Sequence, residues 1–129
     1  MKRVLFVCVE NAGRSQMAEA FGRAYGIEAA SAGTVPAEKV NPTVVQVMRE
    51  RGLSIPGKPK VLTNEMIDSA DLVVTMGCSV QEICPRPMVE RMEKKLVDWG
   101  IEDPKGKPIE EVRKIASEIE NQVVDLLKK

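Results

Sequence analysis

Residues 3–26, RVLFVCVENAGRSQMAEAFGRAYG, decide how the rest of the chain is read. Arg3 to Cys8 form a short, nearly all-apolar run, as expected of a strand buried on both faces of a parallel sheet. From Arg14 the pattern turns helical: Met17, Ala18, Phe21, Ala24 and Tyr25 recur at three- and four-residue spacing until Gly26 stops the helix. Between the two lies a short connection, Val9 to Gly13. In open α/β sheets ligands bind at the carboxyl ends of strands, beside helix N-termini, and Cys8 and Arg14 flank such a place.

The same grammar repeats downstream. Glu28 to Ala32, before Gly33, reads as a second strand. Asn41-Pro42 opens a helix with Val44, Val45, Val47 and Met48 on its inner side and Gly52 at its end. Thr63 to Ala70 is a short helix with Thr63 as N-cap, Asp71 to Met76 another buried strand, and Lys95 to Trp99 a fourth. The last helix begins near Pro108 and runs to about Leu127, with Ile109, Val112, Ile115, Ala116, Ile119, Val123 and Leu126 as its apolar stripe. Strands alternating with helices predict a three-layer α/β fold with a parallel sheet, and 129 residues without repeats or linkers predict one domain over 1–129.

Composition narrows the function. With 19 basic and 19 acidic residues, no net field points to nucleic acid or to an anionic membrane. Phe6, Phe21, Tyr25 and Trp99 are the whole aromatic complement, too few for base-stacking platforms. The apolar runs are too short to span a bilayer and the first residues lack a secretory pattern, which predicts a cytoplasmic protein. Histidine is absent, which removes Cys/His dyads, Ser/His triads and His-based metal sites. Three cysteines, Cys8, Cys78 and Cys84, are then reactive or inert thiols rather than structural disulfide partners.

For Cys8 alone the choice is between a buried thiol, the commonest fate of cysteine, and a nucleophile. C-x5-R by itself is a weak signal. Its position between strand and helix makes it a strong one. A loop closing there points several backbone N–H groups at one spot, so Val9, Glu10, Asn11, Ala12, Gly13 and Arg14 form an anion cradle. Asn11 and Gly13 are residue types that tolerate positive φ, and Arg14 offers a planar fork for two oxygens of a tetrahedral oxyanion. A helix N-terminus and an arginine also favour the thiolate form of a cysteine, and Ser15 adds a hydrogen-bond donor. Glu10 is out of place among these groups, and its side chain is expected to point to solvent.

C-V-E-N-A-G-R-S with Q-M-A-E behind it resembles the low-molecular-weight protein tyrosine phosphatase family, which includes the thioredoxin-coupled arsenate reductases. The resemblance continues through Ser31-Ala32-Gly33, Asn41-Pro42, Asp71 to Thr75 and Asp103-Pro104. It implies a four-stranded parallel sheet flanked by helices, attack on the oxyanion by Cys8, and a general acid at Asp103. From the residues alone, Asp103-Pro104 is equally a turn.

Within the family, the segment TMGCSVQEICP (75–85) separates reductase from phosphatase: Cys78 and Cys84 are either two unrelated loop thiols or the rest of a relay. In the relay Cys8 forms a thiol-arsenate adduct, Cys78 releases arsenite and leaves a Cys8–Cys78 disulfide, and Cys84 frees Cys8, whereas a simple phosphatase needs no second or third thiol. C-x5-C does not fit a zinc pattern, so neither metal nor cofactor is expected. For Cys78 and Cys84 to bond, residues 78–84 must be a loop or must unwind, because a helix holds them ~9 Å apart along its axis. D-P-K-G-K also resembles the reductases, whereas the phosphatases place an aromatic after Asp-Pro, where this chain has Lys105. Some reductases of the family bind potassium; Asn11, Glu19 and Ser31 match ligands of that site, but Lys60 replaces an aspartate, which predicts none here. The expected partners are arsenate, with phosphate or sulfate as competitors, and thioredoxin or a thioredoxin-like reductant; the expected state is a monomer. A phosphatase acting on phosphotyrosine or small esters is the alternative, and a non-catalytic redox-sensing or anion-binding module stands behind it.

Overall fold

A computed structural model describes residues 3–55, 58–76, 90 and 95–128. The described elements are β1 (Arg3–Cys8), α1 (Arg14–Ala24), β2 (Glu28–Gly33), α2 (Pro42–Glu50), α3 (Asn64–Ser69), β3 (Leu72–Thr75), β4 (Leu96–Asp98) and α4 (Ile109–Leu127). The strands form one sheet of order β2-β1-β3-β4, and all three pairings are parallel. β1 is central, which explains its apolar run: five of its six residues are buried. Between β1 and β3 the strand order reverses, and at that point an open α/β sheet leaves its ligand crevice.

Side-chain alternation along β1 divides the core in two. Val4, Phe6 and Cys8 face one layer with Met17 and Phe21 of α1, Val44, Val47 and Met48 of α2, and Val112, Ile115 and Ile119 of α4. Leu5 and Val7 face the opposite layer, with Ile67 of α3 and Val73 of β3. Three helices therefore cover one face and α3 lies on the other, the three-layer arrangement expected from the sequence. Phe6 packs against Trp99 with ring centroids 5.5 Å apart.

Local chemistry sets the boundaries. Asn41 caps α2 by accepting from Thr43 N, with Pro42 in the first turn, and Thr63 caps α3 by accepting from Met66 N. Lys95 donates its ammonium to the carbonyls of Ile67 and Ala70 at the end of α3. Observed elements differ from the expected ones by a residue or two, as helix and strand ends fray. Two expectations need correction. Ala24 and Tyr25 are exposed, because the buried stretch of α1 ends at Gly22 and the chain turns toward β2 at Gly26. Val45 is only half-buried, beside the buried Val44 and Val47. The helix or loop expected over residues 78–84 lies outside the described residues. Among the described residues no helix is long and apolar enough to cross a membrane.

Gly33 ends β2 opposite Cys8 and lies directly beneath the loop that follows β1. A Cβ there would stand 2.6 Å from the Val9 carbonyl oxygen and 2.9 Å from Asn11 N. Gly33→Ala is expected to push the loop outward and to cost about 1–3 kcal/mol of stability, the usual range for overpacking. Thermal unfolding measures this, and an unchanged midpoint would show that the loop is free to move.

Candidate active site

The connection Val9 to Gly13 is shaped by where its carbonyls go. Those of Val9, Glu10 and Ala12 accept from Val35 N, Ala37 N and Asn41 N at 2.8, 2.9 and 2.8 Å. The Asn11 carbonyl accepts from Gln16 Nε2 at 3.2 Å, and that of Gly13 from Met17 N at 2.9 Å. With all five carbonyls engaged by their surroundings, the loop amides are left to face its centre. Cys8 Sγ sits there, buried, accepting from Asn11 N at 3.2 Å and lying 2.9 Å from Ser15 Oγ.

Asn11 is the hub. Its φ of 53° is the one left-handed conformation at a non-glycine position among the described residues, and a short polar side chain is what tolerates it. Its Nδ2 donates to Ser15 Oγ at 2.8 Å, and its Oδ1 accepts from Gln16 Nε2 at 3.0 Å and from Lys60 N at 2.8 Å. Gly13, expected to share this conformation, does not: its φ is −146°. A Cβ at Gly13 would come within 3.0 Å of Pro104 Cγ, so the glycine serves close packing of the Asp103-Pro104 segment against the loop.

Arg14 opens α1 almost wholly buried. Its Nη1 donates to the carbonyls of Met76 and Ile101 at 2.8 and 2.7 Å. Nη2 lies 3.8 Å from Asp103 Oδ2. Asp103 is itself mostly exposed and accepts from Lys105 N at 2.9 Å through Oδ1. Cys8, Val9, Glu10, Ala12, Gly13, Arg14, Asp103 and Lys105 thus meet in one cleft, closed on the far side by 37–42. Ser15 and Asn11 support it from beneath. Cys78 and Cys84 lie outside the described residues. Glu10 reaches solvent as expected, and there its carboxylate also pairs with Lys105 Nζ at 3.0 Å.

Below the loop lies a layer where Asn11, Glu19, Ser31 and Lys60, singled out from the sequence as positions of the family's potassium site, meet, and only Gln16 was missed. Gln16 and Glu19 are polar residues on a helix, yet both are buried. Glu19 receives the Ser31 hydroxyl, Arg23 Nη2 at 2.7 Å and Lys60 Nζ at 3.5 Å. These groups do not fit a bound potassium ion. The Glu19 carboxylate already has two cations beside it, and Asn11 Oδ1 already has two donors. The one available signal for Gln16 was its place three residues before Glu19 on the helix that follows the cysteine loop.

A buried thiol inside a ring of tethered backbone, faced by a guanidinium and a carboxylic acid, defines a class: α/β proteins built to take a tetrahedral oxyanion over a cysteine. The chain belongs to the low molecular weight phosphotyrosine protein phosphatase family, whose model matches residues 3–129. It is similar to the glutaredoxin arsenate reductase of Synechocystis sp., at 34% identity over 134 residues covering 100% of this chain and 98% of that one. An arsenate reductase solved in the phosphate binding state superposes with a TM-score of 0.85 at 33% identity, covering 99% of this chain and 98% of that one. The arginine phosphatase from Geobacillus stearothermophilus gives a TM-score of 0.84 at 31% identity, with coverage of 99% and 92%.

The Asn11 hub yields a paired prediction. Asn11→Ala loses the side-chain hydrogen bonds and places alanine in the left-handed region, for an expected loss of about 2–4 kcal/mol. Asn11→Gly loses the same hydrogen bonds but keeps the conformation at lower cost, so it should unfold at higher denaturant than the alanine variant. Equal midpoints in urea would show that the conformation at residue 11 contributes nothing.

Proposed function

We propose that this protein reduces arsenate to arsenite through a thiol-arsenate adduct on Cys8, and that Cys78 and Cys84 complete a disulfide relay re-reduced by thioredoxin or a similar dithiol protein. The observation that carries the reading is Cys8 Sγ at the centre of the tethered loop, with Arg14 and Asp103 across the cleft. Similarity to arsenate reductases supports the choice of substrate.

The chemistry assigns each group a task. The amides of Val9 to Arg14 and the Arg14 guanidinium hold three arsenate oxygens and offset their charge. The Cys8 sulfur attacks arsenic, and Asp103 gives a proton to the departing oxygen, which leaves as water. Asn11 N donates to the sulfur and Ser15 Oγ lies within hydrogen-bond reach of it, which holds Sγ in place for the attack. Cys78, as thiolate, then attacks the Cys8 sulfur. The electron pair of the S–As bond stays on arsenic, which leaves as arsenite, and two thiols have become the Cys8–Cys78 disulfide. Cys84 attacks Cys78 and releases Cys8; the Cys78–Cys84 disulfide takes two electrons and two protons from the external dithiol. Such a relay works where thiols are kept reduced, which suits a cytoplasmic protein. No cofactor or metal enters any step, and a monomer suffices because all named groups come from one chain.

Phosphate-ester hydrolysis is the second reading, favoured by the family itself. The same cradle would form a cysteinyl-phosphate that water resolves. Against a phosphotyrosine substrate stands the cleft lining, which among the described residues includes no aromatic ring to pack on a phenol.

Cys84→Ser separates the two. With thioredoxin as sole reductant the variant is expected to make one arsenite per protein and stall, with a Cys8–Cys78 bond found by peptide mapping without reductant. Hydrolysis of 4-nitrophenyl phosphate by the reduced variant should persist. Multiple turnovers of arsenate would rule out the three-thiol relay. Asp103→Asn is expected to slow single-turnover adduct formation by about 10²–10⁴-fold while leaving phosphate affinity nearly intact; an unchanged rate would leave Asp103 a turn residue only.

A further inference from the structure

The Asp103-bearing segment touches the cysteine loop at three points: Pro104 against Gly13, Asp103 near Arg14, and Lys105 on Glu10. The first two positions belong to packing and catalysis. The third sits at the rim of the cleft and has no place in the mechanism above. Glu10 is an acid inside a loop whose amides gather anions, and its charge opposes that of any oxyanion entering the cleft. Its backbone is held in the loop, with the Glu10 carbonyl accepting from Ala37 N.

Lys105 answers that charge directly. Its Nζ stands 3.0 Å from Glu10 Oε1, and both residues line the cleft. Hydrogen bonding to Glu10, then its Coulombic pull, holds the Lys105 ammonium above the ordinary lysine range. As a stability device it is weak: both side chains are largely solvated, and such pairs contribute little to folding. Its location gives it another use.

We propose that Lys105 sets the oxyanion affinity of the cleft by neutralising Glu10, so that a loop containing an acid still takes a small inorganic dianion. The inference rests on the oxyanion-cradle reading of the loop given above. Lys105 acts through Glu10 and is a specificity-setting residue without contact to the anion. Its segment also carries Asp103, whose Oδ1 accepts from Lys105 N, so the charge balance at the rim and the placement of the acid share one turn.

Calorimetric titration of the reduced protein with inorganic phosphate tests this at low and at high ionic strength. Lys105→Met leaves Glu10 unpaired and is expected to weaken phosphate binding about three- to tenfold at low salt, with most of the difference gone in high salt. Lys105→Arg should bind as the parent does. In Glu10→Gln the further change Lys105→Met should have much less effect, because the charge that Lys105 pairs with is gone and only its weaker Coulombic coupling to Asp103 remains. If Lys105→Met weakens binding equally with and without Glu10, the lysine contacts the anion itself and the proposal is overturned; no weakening in either background overturns it as well. Should the parent bind neither phosphate nor arsenate, the cradle reading fails first and this inference falls with it.

Discussion

The outward pull on the loop carbonyls is the constraint on which the site depends. Peptide groups carry a donor and an acceptor on opposite sides, so fixing the acceptors of Val9, Glu10 and Ala12 on the 35–41 segment fixes the donors on the inside. Asn11 completes the ring from within by reaching β1, α1 and the 58–60 segment at once. Neither the sheet nor the helix alone would hold this shape. It exists because β2 ends in Gly33, which lets the loop lie flat upon it. Backbone placed before the substrate arrives needs no rearrangement at the moment of reaction, and this is the main source of electrostatic catalysis.

Burial of charge near the site follows one pattern. Arg14 enters a nearly closed environment, and two backbone carbonyls from residues distant in sequence meet it. Glu19 is more deeply buried and has two cations and a hydroxyl beside it. Each charge thus has enough partners to offset the loss of water. On the far side of the molecule the charged pairs are of another kind: Glu50–Arg113 and Arg51–Glu120 join α2 to α4 near solvent. There the Arg113 guanidinium lowers the Glu50 carboxyl below its usual range, a local effect far from the cleft.

Much of this was legible in the chain. The β1–loop–α1 unit could be read because a strand buried on both faces is apolar throughout, and because the switch from that run to helical spacing is abrupt. The stripe on α4 and the caps at Asn41 and Thr63 were legible for the same local reasons. What stayed hidden depends on residues far apart. Periodicity alone does not show that Gln16 is buried, since it knows nothing of the 58–60 segment that meets its side chain. Gly13 was read for its backbone freedom, whereas its missing Cβ makes room for Pro104, 91 positions on in a count of 104 minus 13. Glu10 was read as solvated, and its partner Lys105 is 95 positions away.

Lys60 donates its backbone N–H to Asn11 and stretches its ammonium to Glu19, so one residue serves the hub and the buried acid together. A counter-ion carried on the chain has a local concentration fixed by covalent geometry, independent of what the surrounding fluid contains. The positive charge beside the buried acid is thus delivered by the same residue whose backbone holds the hub of the loop, so hub and acid are tied to one point of the 58–60 segment by a four-carbon tether.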